Sequence, residues 1–481
     1  MSENKPLGLR YTGHPFIDIG VAVATVVARR QHPEKVTVDE LIPFLQDIKR
    51  WYIDYPGIQS FLRNVFPNSK FVQGAVSLAD KEQYADEVLF GFIGDEIAND
   101  DRQCCVFFPE LAASRRVTRT IMPLLNSVDT VNFGAAGNPG VPVSGLAIMC
   151  LHLLPLGCLR LYSYASPKTR LLGFHHISSQ GGPNLNMVFA AYALDHHTTS
   201  IGLSGEITTF GSHSQTRYVE ELLRVKREVL RNRLTRSSLT AYRNVSGYFF
   251  ANENRETSIA VLHLDNGVHA FIEAAELDHA DTWHRLIAAN WQKVEDEPDA
   301  PLTEESRRQR RNFVFEQLFD APVNWLRLAG ALITHGDWAL VHLFLKEIVN
   351  MQQAEIDNLK MLGMKLARYM SENDVSAKGL SWGFYHQFKT ARTAKIRALV
   401  RSANESLSRK GLSDLIITHA EILLAFNRVQ GYQDFTLARD IIAMVMFEEL
   451  HKMGYSMGKA VPAEEDEIAE RYAAIPDEVE A

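Results

Sequence analysis

Cysteine is scarce in this 481-residue chain, and the short motifs that announce most enzyme classes are missing. Four cysteines occur, the vicinal Cys104 and Cys105 with Cys150 and Cys158, and none has the Cys-x-x-Cys spacing that clamps zinc. A structural metal is therefore not expected. Long apolar runs are missing too: the longest, Val143 to Leu156, is interrupted by Ser144, Gly145, His152 and Pro155, and falls short of the roughly 20 residues a bilayer requires. The opening Met1-Ser2-Glu3-Asn4-Lys5 carries acid and amide where a secretory signal carries a basic region and an apolar run. A cytoplasmic protein without a membrane partner is the expectation. No Gly-x-Gly-x-x-Gly fingerprint, Gly-Lys-Ser/Thr phosphate loop, Gly-x-Ser-x-Gly elbow or His-Glu-x-x-His helix occurs, so neither a cofactor nor a catalytic residue is expected.

Positive charge is also in deficit, since the chain carries a net −8. The deficit is local. Between Glu464 and Glu480 stand eight acids (Glu464, Glu465, Asp466, Glu467, Glu470, Asp477, Glu478 and Glu480) against Arg471 alone, and the remainder is close to neutral with basic clusters. What is present is an ordinary globular composition, 46% hydrophobic and 22% charged, long enough for two or three domains.

The expected fold class is α+β: a mixed α/β amino-terminal domain over 1–300, a helical bundle over 301–460 and an acidic tail over 461–481. Glu87 to Ile93 and Cys104 to Phe108 are short, apolar and bounded by polar residues, which predicts strands. Asp265-Asn266-Gly267 between two apolar runs predicts a hairpin across Thr257 to Ile272. The acidic stretch Glu295 to Pro301, with Pro298 and Pro301, predicts a linker. Beyond it Thr303 and Asp337 read as helix caps, and Trp338, Val341, Leu345 and Ile348 build one apolar face. Helices are expected over Ser381 to Ser408 and Leu412 to Arg428, with stops at Gly411 and Gly431.

Three clusters are basic. The first is Arg224, Lys226, Arg227, Arg231, Arg233 and Arg236, in which Arg224, Arg227 and Arg231 share a helix face. The second is Lys389, Arg392, Lys395, Arg397, Arg401, Arg409 and Lys410, opposed only by Glu405. The first stripe suits phosphates or a solvated face, and the second is basic over more than one flank and suits phosphates. The aromatic residues Trp382, Phe384, Tyr385 and Phe388 before the second cluster suit base stacking or a core. The third is Arg307-Arg308-Gln309-Arg310-Arg311. Two glycine-rich loops, Asn132 to Gly140 and Ser178 to Asn184, would let backbone approach a groove closely and present Asn or Gln to base edges, or be plain turns. The pairs His175-His176 and His196-His197, with Asp195, raise the alternative of a metal-dependent hydrolase. Adjacent strand residues point to opposite faces, so each pair would offer at most one ligand to a common site.

The segment Tyr11-Thr12-Gly13-His14-Pro15-Phe16-Ile17-Asp18-Ile19-Gly20 resembles the opening Thr-Gly-Asn-Pro-Phe-Val-Asp-x-Gly stretch of the large subunit of type I-B CRISPR effector (Cascade) complexes, with His14 where many relatives have Asn. Asn138 to Ala147, followed by Leu151-His152-Leu153-Leu154-Pro155-Leu156-Gly157, resembles a small-residue and leucine segment of the same family. The resemblance implies a non-catalytic subunit of a crRNA-guided antiviral surveillance complex. Such a subunit recognises the protospacer-adjacent motif in target double-stranded DNA and aids duplex opening and R-loop formation. It assembles with crRNA, backbone subunits and small subunits, and a nuclease-helicase is recruited on target binding. On that reading Gly137, Asn138, Gly140, Gln180 and Asn184 would read the motif, Arg224, Arg227 and Arg231 would hold duplex phosphates, and Lys389, Arg392, Lys395, Arg397 and Arg401 would hold the displaced strand. Relatives also make a free small subunit from an internal start, for which Met351 is the candidate, with Met361, Met364 and Met370 as competitors. An adaptor with no nucleic-acid role is a further alternative.

Overall fold

The computed structural model describes residues 6–99, 102–125, 139–162, 170–177, 183–231, 241–252, 257–293, 303–321, 325–373, 375–376, 379–426 and 432–455. The fold is α+β, with many helices and small antiparallel sheets. The chain divides into two units, Met1–Leu264 with Lys293–Arg311, and Asp265–Gln292 with Asn312–Ala481.

The first unit is organised around α1 (Pro15–Val27), whose residues Phe16 through Thr25 are all buried. Pro15 starts this helix because its fixed backbone suits the first turn and its missing N–H would have no partner there. Around α1 pack α5 (Gly145–Leu153) and α6 (Pro183–Ser204), and α2 (Val38–Asp54), α3 (Pro56–Leu62) and α4 (Leu78–Leu89) extend this layer. The approach of α1 to α5 is close: a Cβ on Gly20 would stand 1.9 Å from the Cys150 carbonyl oxygen. At the start of α5 the Asp95 carboxylate accepts from the N–H groups of Gly145 and Leu146, both at 2.7 Å. It thereby satisfies donors that the first turn leaves open.

A small two-stranded antiparallel sheet pairs β1 (Arg115–Val117) with β2 (Val141–Val143). The main sheet is antiparallel in the order β3 (Leu159–Tyr162), β4 (Arg170–Ile177), β5 (Val245–Asn252) and β6 (Thr257–His263). On it sits α7 (Ser214–Arg231). Tyr218 of α7 donates its hydroxyl to the Val245 carbonyl at 2.7 Å, and its ring occupies the space a side chain at Gly247 would fill, 2.3 Å from the ideal Cβ.

The second unit holds α8 (Asn266–Asp278) and α9 (Ala280–Ala289). After the short α10 (Glu304–Arg308) of the first unit come α11 (Phe313–Asp320), α12 (Leu326–His335), α13 (Trp338–Glu347), α14 (Gln353–Asn373), α15 (Gly383–Lys389), α16 (Thr393–Arg409), α17 (His419–Phe426) and α18 (Tyr432–Lys452). The pairing of α14 with α18 forms its spine, and α12, α15 and α17 pack on α18. Gly363 allows this contact, since a Cβ there would stand 2.6 Å from the Val445 side chain. A minimal ribbon pairs β7 (Val375–Ser376) with β8 (Gly379–Leu380).

Several local expectations are corrected. Asp265-Asn266-Gly267 is a helix start, not a hairpin: the Asp265 carboxylate accepts from the Gly267 N–H at 2.7 Å, α8 begins there, and β6 pairs with β5. Capping by Asp competes with the turn that the same three residues would favour. Glu87 to Leu89 ends α4, whose buried Tyr84, Ala85, Val88 and Leu89 recur at helical spacing, and a 3-10 turn covers Gly91–Gly94. Cys104 to Phe108 makes only an isolated bridge, Cys104 to Ala112. The helix expected over Ser381 to Ser408 breaks into α15 and α16 around the buried Ala391. The helix expected from Leu412 begins at His419, where Thr418 and Glu421 cap each other's N–H groups at 2.7 and 3.2 Å. Thr303 and Asp337 are caps as read from the sequence, and Gly411 ends α16 with φ +72°.

Candidate nucleic-acid interface

The signature segment is an internal clamp. Asp18 is fully buried; its carboxylate accepts from the Thr12 N–H at 2.6 Å, the Thr12 hydroxyl at 2.8 Å and the Gly13 N–H at 3.0 Å. His176 of β4 reaches it from the sheet at 3.0 Å through Nε2. A carboxylate oxygen accepts, so the contact is a hydrogen bond in the tautomer that carries its proton on Nε2. Gly13 supplies a backbone at φ +84° that a side chain would strain. Phe16 packs edge-on against Phe174 and tilted against Phe250. His14 lies against Phe16 and Phe107 as the residue before the first helical turn, and burial lowers its pKa.

The other histidines are each bound separately. His175 faces away from His176, stacked between Phe189 and Tyr218 with Nε2 3.1 Å from the Tyr218 carbonyl. His197 places Nε2 2.6 Å from the Cys158 carbonyl, and half-buried His196 lies edge-on to Phe210. Burial pushes His175 down to about 4 and His197 to about 3, so both are neutral. Among the described residues no group of three or more His, Cys, Asp or Glu is placed to hold a metal.

Two clusters far apart in sequence meet at one cavity of about 480 Å³ within the first unit. From α7 come Glu220, Glu221, Arg224 and Arg227; from α10 come Glu304, Arg307 and Arg308; Tyr192 of α6 and Phe210 complete the lining. The meeting is enforced by Arg217, a fully buried guanidinium that donates to the carbonyls of Arg307 and Arg310, both at 3.2 Å. Gly211 lets the returning segment lie close, since a Cβ there would stand 2.5 Å from the Arg308 carbonyl oxygen.

Each aromatic wall carries a guanidinium: Arg224 lies 3.6 Å above the Tyr192 ring and Arg308 4.7 Å above Phe210. Arg224 also donates Nε and Nη2 to Glu221 at 3.1 and 3.0 Å. Glu221 is 3% exposed, and burial pushes its carboxyl up to about 7 against the opposing pull of Arg224. Glu220 pairs with Arg217 and lies 4.0 Å from Arg307. Glu304 pairs with Arg308 at 2.6 Å. Along the sequence the two arginine clusters stand apart, and Tyr192, Phe210 and the cavity role of Glu221 carry no local signal beyond their polarity.

In the second unit α16 buries Ile396, Val400, Ala403 and Leu407 at spacings of three and four. Arg397 and Arg401 are exposed on one flank, while Lys395 is exposed on the other and Arg392 at the start of the helix. Lys389 ends α15, half-buried, its Nζ 6.0 Å from the Tyr385 ring centroid. The aromatic residues before it are packed inward: Trp382 and Tyr385 meet Phe447, and Phe384 meets Tyr369. Of the two roles open to these aromatics, Tyr385 and Phe388 take that of core, since both are buried.

Of the loop residues, Gly137, Asn138 and Gln180 lie outside the described residues, and Asn184 sits in the first turn of α6. Gly140 is buried at φ +78°, its absent Cβ 2.5 Å from the Val117 carbonyl oxygen, so it serves the β1–β2 pairing. Arg231 is the last residue of α7. Met351 precedes α14 and donates its N–H to the Leu345 carbonyl at 2.8 Å. Among the described residues no helix is long and apolar enough to cross a membrane. Comparison with protein-family models, curated proteins and solved structures finds no match for this chain.

Proposed function

We propose that the chain is the non-catalytic large subunit of a crRNA-guided, type I-B DNA surveillance complex in the cytoplasm. It recognises a short motif in target duplex, aids its opening and recruits a nuclease-helicase. The observation that carries this reading is the signature segment 11–20, together with the small-residue and leucine segment 138–157. In the signature Thr12, Gly13, Pro15, Asp18 and Gly20 each meet a packing or hydrogen-bonding requirement of the first unit. A sequence that the fold itself requires travels with the fold.

The exposed flank of α16 supports the nucleic-acid part. Arg397 and Arg401 are turned to solvent on a helix whose opposite face is core. Such a stripe follows phosphates and releases counterions. On this reading Lys389, Arg392, Lys395, Arg397 and Arg401 hold the displaced strand, Arg224, Arg227 and Arg231 hold phosphate near the motif, and the loops bearing Asn138 and Gln180 read it. Guide pairing reads the rest of the target. A product started at Met351 would carry α14 to α18 but would lack α12, which packs on α18.

The test is fluorescence anisotropy with the full-length chain and motif-randomised duplex, titrated with salt. Binding that weakens steeply with salt is expected. Absence of any salt-dependent binding, alone and with crRNA and the partner subunits, would leave the adaptor reading standing.

A further inference from the structure

The cavity between α7 and α10 calls for a guest that is planar, partly anionic and rich in hydrogen-bonding edges. A volume of about 480 Å³ lies in the range of small-molecule sites. A duplex backbone, by contrast, is followed by groups spread along a surface. Arg224 and Arg308 are pinned over aromatic rings, and a guanidinium so held is itself a stacking platform, because planar groups stack on its faces. Arg227 and Arg307 bring further planar donors of the kind that grip phosphate oxygens in pairs. The carboxyl groups of Glu220, Glu221 and Glu304 stand in the same wall, and acceptors there suit the N–H edges of a base. A bare anion would leave these acceptors unmatched, and an apolar guest would leave the charged groups unsolvated.

We propose that this cavity seats one nucleotide unit, its phosphate on Arg227 and Arg307 and its base stacked along a ring-backed guanidinium with a glutamate receiving its N–H groups. The proposal rests on the nucleic-acid reading of Arg224 and Arg227 and narrows it from a duplex backbone to a single unit. The guest is either a free nucleotide or the end of a strand, and both present the same chemistry. Glu221, with its carboxyl near 7, can also donate to a phosphate or ring acceptor when protonated.

The experiment is isothermal titration of the full-length chain with AMP, adenosine, inorganic phosphate and a 5′-phosphorylated DNA trinucleotide. AMP is expected to bind with a stoichiometry near one. Adenosine and phosphate should each bind at least about tenfold more weakly, the loss for one charge-assisted contact. Arg227→Ala and Tyr192→Leu should each weaken AMP by about fivefold or more, the first by removing phosphate contact and the second by removing the support under Arg224. A trinucleotide binding about tenfold tighter than AMP assigns the guest to a strand; equal affinity assigns a free nucleotide. No binding by AMP or the trinucleotide, or binding that neither variant weakens, overturns the proposal. Duplex binding by the same preparation, and its weakening in Arg397→Ala/Arg401→Ala, is read separately. AMP binding without duplex binding, alone and with crRNA and the partner subunits, removes the surveillance reading and keeps the pocket; the reverse keeps the surveillance reading and removes the pocket.

Discussion

Removing the Asp18 carboxylate tests whether the signature segment is a structural clamp. Asp18→Ala strips the acceptor from four donors: the Thr12 N–H and hydroxyl, the Gly13 N–H and His176 Nε2. Water reaches exposed Gly13 readily and half-buried Thr12 in part, whereas His176 is 3% exposed and left unpaired. At about 1–3 kcal/mol for each donor that stays buried, the expected loss is about 4 kcal/mol. Asp18→Asn keeps one acceptor and sets an N–H₂ against a donor, so about half that loss is expected. At roughly 2–4 °C per kcal/mol for a unit of this size, Asp18→Ala should lower the melting temperature of the first unit by about 10 °C. Thermal unfolding by circular dichroism measures the shift. Hydrogen exchange of α1 amides assigns it to the first unit rather than the second. A shift below about 2 °C in Asp18→Ala, or Asn and Ala variants of equal stability, refutes the clamp.

Gly20→Ala should cost about 3 kcal/mol or more, because its methyl would fall 1.9 Å from the rigid Cys150 carbonyl, and a melting curve like the parent's would contradict that packing. Stability should also fall as pH drops from 6.5. Burial holds His152 and His175 at about 4 and His197 at about 3, so the unfolded chain binds more protons there. Glu221 acts oppositely: its carboxyl is raised to about 7, so the cost of ionising it is relieved as pH falls from 7 toward 4.5. At pH 5 the histidines lose about 6 kcal/mol together and Glu221 returns about 2, a net loss of about 4 kcal/mol relative to neutral pH. Urea titrations at pH 7.5 and 5.0 check this, and equal midpoints would count against it. Arg397→Ala and Arg401→Ala should each lower the salt slope of duplex binding by about 1 without altering motif preference, read by anisotropy across a salt series.

Some of this was readable along the chain because its cause is local. Thr303 and Asp337 as caps, Gly411 as a stop and the apolar face of α13 depend on neighbours within a turn or two. The same local reasoning failed at Asp265-Asn266-Gly267, because Asp and Gly serve a helix start as well as a hairpin. The outcome there rests on the helical burial of Val268, Phe271, Ile272 and Ala275 and on β5 pairing with β6. The linker expected over 295–301 lies outside the described residues. That 303–311 packs with the first unit was not legible, because the reasons are the buried Arg217 guanidinium and Ser212 reaching carbonyls about ninety positions away.

By itself the sequence determined composition, charge distribution, the helix starts and stops that neighbours dictate, and the signature segment on which the proposed function rests. Tertiary structure alone decided what the signature does, because Asp18 acquires its role only when β4 brings His176 to it. It also decided that two separate arginine runs share one cavity with Tyr192 and Phe210. Polarity can be read residue by residue, whereas burial, a carboxyl held near 7 and a guanidinium laid on a ring depend on partners that only folding places within reach.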